Sequence, residues 1–138
     1  MKTALATLQF LGYNVLALNY EENTTQLQQN IAPIELTPHF SRKILHVNDT
    51  IYAVIITIQI DQDNLPFKCQ VSLKGTFNVN NIDNIDKCLQ VNATAILFPY
   101  VRSTLSMLTT LAGKNPINLP TFNISKAFED QEAHYNPN

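Results

Sequence analysis

Phe67-Lys68-Cys69-Gln70-Val71-Ser72-Leu73-Lys74-Gly75-Thr76-Phe77-Asn78-Val79 carries an apolar residue at every odd position except Gly75, and a polar one at every even position. Strict period-two alternation marks a strand with one buried and one wet face. Gly75 falls on the buried side, where it signals a bulge or a close backbone approach. Just upstream, Ile51 to Ile60 is β-branched and also alternates, with Tyr52, Val54, Ile56, Ile58 and Ile60 on one face. The turn formers Asp61-Gln62-Asp63-Asn64-Leu65-Pro66 separate the two runs, which predicts an antiparallel hairpin.

Further upstream, Ala6 to Tyr20 reads as a long strand that is apolar on both sides. Simple alternation puts Leu8, Phe10, Leu16 and Leu18 on one face and Leu11, Tyr13 and Val15 on the other. Such a strand has to be covered twice, once by its own core and once by something else. Residues 21–32 are polar and rich in Gln and Asn, as in a long exposed connection. Ile34, Leu36, Phe40 and Ile44 then alternate imperfectly through Pro38, the mark of an edge strand or one bent there. The first half is thus expected to be a meander of about four strands.

After Val79 the period changes. Leu97, Val101, Thr104, Leu105, Leu108, Leu111 and Ala112 recur at three- and four-residue steps, which predicts an amphipathic helix with Asn92 as cap and Gly113 as stop. Pro99 inside the pattern predicts a kink or a helix that starts close to it. Ile96, Phe98, Tyr100 and Met107 lie off the main stripe, so this helix is too apolar for one sheet face alone. A short helix capped by Ser125 and carrying Ala127 and Phe128 is expected near the end.

Residues 1–138 read as a single α+β domain, 45% hydrophobic but only 14% charged. So few charges leave a surface short of solubility unless copies of the chain or a ligand cover part of it. A net charge of −2 with scattered cations gives no case for nucleic acid. The segment after Lys2 is interrupted by Thr7, Gln9, Gly12, Tyr13 and Asn14, which suits a strand and not an export signal, so a cytoplasmic location is expected. Cys69 and Cys88 read as reduced thiols, with Cys69 in the core of a strand.

Catalysis needs convergent polar groups, and none is evident in the pattern. His39, His46 and His134 are far apart, and no histidine stands in metal-ligand spacing with a cysteine. Asp61-Gln62-Asp63 opens like a calcium loop, but Pro66 and Ser72 stand where glycine and glutamate are required. Three glycines make no phosphate-cradling loop. The expectation is a non-enzyme without metal or cofactor. Three readings of the surplus apolar surface stay open: an obligate oligomer, an oligomer that keeps a groove open for extended clients, and a β-rich carrier of small ligands.

The stretch Ala95-Ile96-Leu97-Phe98-Pro99-Tyr100-Val101-Arg102, running on to Gly113, strongly resembles the first long helix of SecB chaperones. Asn115-Pro116-Ile117-Asn118-Leu119-Pro120, with Phe122, Ile124 and Phe128 beyond, is similar to that family's linker and second helix, and Phe67 to Val71 with Gly75 to Phe77 looks like its fourth strand. The resemblance implies a four-stranded antiparallel sheet followed by a long and a short C-terminal helix, assembled as a homotetramer, a dimer of dimers. It implies an ATP-independent holdase that keeps unfolded secretory precursors competent for the Sec translocase and passes them to SecA. On that resemblance, Ile34, Leu36, Phe40, Leu119, Phe122, Ile124 and Phe128 are expected to bind client. Leu97, Tyr100, Val101, Arg102 and Leu108 are expected at the oligomer interface. The weak acidity, with Lys68 and Lys74 on the strands, departs from the acidic sheet that docks SecA in typical members. The alternatives are a SecB-like chaperone that protects an antitoxin in a toxin–antitoxin module, and a purely structural oligomer.

Overall fold

The computed structural model describes residues 5–23, 36–115 and 117. Four strands, β1 (Thr7–Glu22), β2 (His39–Asn48), β3 (Ile51–Ile60) and β4 (Phe67–Asn80), form one antiparallel sheet. Its order is β1-β4-β3-β2, so β1 adds to the far side of β4 and does not continue a meander. The connections explain the order. Tight turns join β2 to β3 and β3 to β4, whereas residues 23–38 are long enough to carry the chain from one sheet edge to the other. Pro38 immediately precedes β2, an edge strand as its sequence predicts.

The hairpin of β3 and β4 forms the centre. Val54, Ile56, Ile58 and Ile60 share one face with Val71, Leu73, Phe77 and Val79, all of them buried. Fully burying one such side chain contributes about 1.5–3 kcal/mol, so this face holds most of the core's driving force.

Strand β1 departs from the simple alternation. Its register against β4 shifts between Phe10 and Gly12 and again between Val15 and Ala17. Each shift leaves one extra residue, Leu11 and then Leu16, and reverses the phase of the strand beyond it. Gly12 takes φ +118°, which an L side chain adopts only with strain, and so fits the first bulge. As a result Leu8, Phe10, Tyr13, Val15, Leu18 and Tyr20 all stand opposite core-facing positions of β4. The expected division of Leu8 and Phe10 from Tyr13 and Val15 is therefore overturned.

The helical part begins earlier than its periodicity suggests. α1 (Ile85–Cys88) is capped by Asn84, whose Oδ1 accepts from the Lys87 N–H at 3.1 Å. A π-helical turn, Leu89–Ala93, comes next and leads into α2 (Thr94–Leu111). Asn92, expected as the cap, lies inside the π turn. Thr94 is fully buried, and its hydroxyl donates to the Leu89 carbonyl at 2.9 Å. Pro99 sits within α2. The helix ends as expected at Gly113, which has φ +83°. The Gly113 N–H reaches the Thr110 carbonyl and the Lys114 N–H reaches that of Thr109, both at 3.0 Å, forming a Schellman motif.

The α2 residues Leu97, Phe98, Val101 and Leu105 are buried in the same core as the sheet face. Gly75 permits this approach. A Cβ built there would lie 3.0 Å from Leu97 Cδ1 and 3.0 Å from Phe77 Cε2. Close approach is thus the reason for this glycine, and the bulges lie on the neighbouring strand. The expected second helix around Phe128 falls outside the described residues.

Candidate functional site: an apolar surface on strand 1 and the long helix

The helix covers the middle of one sheet face and leaves the β1 side of it partly bare. Tyr13, Val15 and Leu18 face the helix side of the sheet, yet each remains exposed. Tyr13 meets Tyr100 with ring centroids 4.9 Å apart, and Phe10 meets Tyr100 at 5.5 Å and Phe77 at 5.2 Å. These contacts carry the apolar surface from β1 onto α2. There Ile96, Tyr100, Met107 and Leu111 form a second stripe, beside the buried one, at steps of four, seven and four residues. Met107 is 63% and Leu111 79% exposed. The bulge residues Leu11 and Leu16 are also exposed. The exposed apolar side chains of β1 and the helix stripe, joined through the Tyr13–Tyr100 contact, mark an interaction site.

The expected interface residues divide along this line. Leu97 and Val101 are fully buried against the sheet of their own chain, so they have no surface to offer a second subunit. Leu108 is half-buried and packs on the core, Arg102 is half-buried, and Tyr100 lies within the exposed surface. Leu111, placed on the core stripe by its spacing, is exposed instead. Its core-side place at the end of α2 is taken by Thr109, which is fully buried. The Thr109 hydroxyl donates to the Leu105 carbonyl at 3.2 Å and accepts from the Ile117 N–H at 3.1 Å. That pairing fixes the first residues of the arm beyond the helix.

Of the expected client-binding residues, Phe40 is a core residue, 9% exposed and packed on Phe98 at a centroid distance of 6.0 Å. Ordinary packing wins there because Phe40 stands opposite Ile58 on the helix-facing side of the sheet. Leu36 is half-buried against the core. Ile34, Leu119, Phe122, Ile124 and Phe128 lie outside the described residues. Periodicity misplaced Leu16 and Leu111, which it put with core-facing residues, whereas it set Leu11 and Met107 apart as surplus apolar groups.

The end of the helix is tied to β1 by polar groups. Lys114 Nζ lies 2.7 Å from Glu22 Oε1, and the Tyr20 hydroxyl donates to the other Glu22 oxygen. Both hydrogen bonds favour the carboxylate and hold its pKa below the ordinary value. Burial, with help from Glu22, pushes the Tyr20 hydroxyl up to about 12. Burial likewise pushes the Cys69 thiol up to about 11, so it is protonated at neutral pH and a poor nucleophile. Cys69 and Cys88 are both free and buried. Among the described residues no cluster of His, Cys, Asp or Glu is placed to hold a metal ion, and no helix is long and apolar enough to cross a membrane.

Comparison with known proteins identifies the class of molecule. The family model described as preprotein translocase subunit SecB matches residues 15–135. The chain is similar to the protein-export protein SecB of Methylobacillus flagellatus, 30% identical over 109 residues that make up 75% of this chain and 69% of that one. It is also similar to that of Saccharophagus degradans, 33% identical over 62% of this chain and 55% of the relative. Among solved structures, the fold matches the Mycobacterium tuberculosis Rv1957 SecB-like chaperone in complex with a ChAD peptide from the HigA1 antitoxin. That match has a TM-score of 0.64 at 12% identity, over 83% of this chain and 87% of that one. A Streptococcus agalactiae protein of unknown function shares the fold with a TM-score of 0.57 at 14% identity, over 86% of this chain and all of that one. The antiparallel sheet, the long helix packed on it and the match over most of its length together make this chain a member of the SecB family.

Proposed function

We propose that the protein is an ATP-independent holdase that binds unfolded polypeptides on apolar surface and catalyses no reaction. The observation that carries this reading is the exposed apolar surface running from Tyr13, Val15 and Leu18 across Tyr100 to Met107 and Leu111. Each 100 Å² or so of apolar area that a client buries contributes about 2.5 kcal/mol before ordering costs. Several such patches along one chain hold it by avidity while each patch still exchanges. In this proposal four copies assemble as a dimer of dimers and cover part of the surface with one another, Tyr100 included. In the same proposal Ile34, Leu36, Leu119, Phe122, Ile124 and Phe128 add client contacts to the part of that surface left open. In this proposal the protein works in the cytoplasm on secretory precursors; the word export in the names of its relatives supports the second part of that reading.

Delivery to SecA has less physical support. On the open face of the sheet the one strand carboxylate, Glu21, is held by Lys68 at 3.5 Å. That charge distribution favours a second reading, a SecB-like chaperone dedicated to one client such as an antitoxin. Calorimetry against one model polypeptide, unfolded and folded, tests the holdase reading. Binding of the unfolded form alone is expected, and equal affinity for both forms would overturn it.

A further inference from the structure

Among the described elements none packs on the sheet face opposite the helix, and the strand register lays out that face in rows. Its middle row is Lys43, Ile55, Lys74 and Asn14, read from β2 to β1. The rows on either side are Ser41, Thr57, Ser72, Ala17 and Leu45, Ala53, Thr76, Gly12. Thr57 and Ser72 hydrogen-bond each other at 2.9 Å, and with the small residues beside them they leave a flat floor. Lys43 is exposed and Lys74 half-buried, two strands apart across Ile55, a spacing of about 10 Å. Among the described residues neither lysine has a carboxylate within ion-pair distance; the ion pairs there join Lys68 to Glu21 and Lys114 to Glu22. Asp49, Asp61, Asp63, Asp83 and Asp86 sit in turns or at the helix start, away from these rows. A chain of net charge −2 thus presents a local positive strip.

We propose that this face docks an extended acidic segment of a partner protein, whose carboxylates meet Lys43 and Lys74 on either side of Ile55. Charge complementarity selects an acidic partner, and the scale of the field selects a polypeptide. Nucleic acid or an anionic membrane spreads its charge over many screening lengths of roughly 10 Å and would also meet the negative remainder of the protein. A short acidic segment senses only the strip, and its backbone finds amides and hydroxyls around it. The face lies on the opposite side of the sheet from the apolar surface, so partner and client occupy separate sites.

Fluorescence anisotropy with a labelled peptide of alternating Glu and Ser tests this on the full chain. Binding at low salt is expected to weaken about tenfold in K43E/K74E and to persist in K43R/K74R, with circular dichroism unchanged in both variants. Added salt is expected to weaken it as well. Holding of unfolded client is expected to be the same in wild type and K43E/K74E, which separates this proposal from the holdase reading. The proposal is overturned if the acidic peptide fails to bind, or if charge reversal leaves its affinity unchanged. It is equally overturned if oligothymidine or anionic vesicles bind through the same lysines as tightly as the peptide, or if K43E/K74E loses client holding.

Discussion

Replacing Gly75 with alanine adds one methyl group where the helix comes nearest the sheet. The new Cβ would lie 3.0 Å from Leu97 Cδ1, 3.2 Å from Leu97 Cδ2 and 3.0 Å from Phe77 Cε2. Carbon atoms rest at about 3.5–4.0 Å, so each contact must open by several tenths of an ångström. Leu97 and Phe77 are both fully buried and have little room to yield. Overpacking of this kind costs about 1–3 kcal/mol, and the lower entropy of the unfolded alanine chain returns about 0.4–1 kcal/mol. The net expectation for Gly75→Ala is a loss of about 1–2 kcal/mol. Urea denaturation at one fixed protein concentration measures it, because assembly makes apparent stability depend on concentration. A double-mutant cycle sharpens the test. Leu97→Ala alone costs about 2–5 kcal/mol but clears the space, so the pair should lose at least about 1 kcal/mol less than the sum of the singles. Additive losses, or a Gly75→Ala protein as stable as wild type, would refute the account of how the helix meets the sheet.

Three other perturbations have defined outcomes. Arg42 Nη1 donates to the Gln90 carbonyl in the π turn at 2.7 Å, so Arg42→Ala should cost about 1–2 kcal/mol by urea denaturation, and Arg42→Lys less. Glu22 has its pKa depressed by Lys114 and Tyr20, so its contribution is present above the unfolded carboxylate value and is lost as pH falls through the lower folded value. Thermal melts of Glu22→Gln should therefore lie below wild type at about pH 7 and converge with it towards about pH 3. Leu16→Asp combined with Met107→Asp changes exposed positions only, and should leave the circular dichroism intact while light scattering shows a smaller particle.

The parts of the fold legible in the sequence are those where one period runs unbroken. Strands β3 and β4 alternate without interruption, and their faces agree with the pattern residue by residue. In β1 the bulges at Leu11 and Leu16 each insert a residue, so a fixed period that is right at both ends of the strand assigns Gly12 to Val15 to the wrong side. The helix start is hidden for another reason: buried Leu89 and Ala93 continue the steps of Leu97 and Val101, but polar Gln90 and Asn92 lie between them and give the segment a loop-like pattern. Local pattern set Val101 on the core stripe and Met107 off it, as observed, but could not tell Phe40, which belongs to the core, from an open apolar position. The difference is set by where β1 and the helix edge fall in three dimensions. The Phe98-Pro99-Tyr100-Val101-Arg102 segment supplied the family where periodicity stopped at a β-then-α oligomer.

The central claim is that this apolar surface holds unfolded chains without an energy source. Light scattering from a chemically denatured client, diluted into buffer free of nucleotide, tests it most directly. The protein is expected to suppress aggregation in proportion to its concentration, and a variant combining Val15→Asp with Met107→Asp, both on this surface, to suppress it far less. An aggregation curve unchanged at several-fold molar excess of protein would contradict the claim.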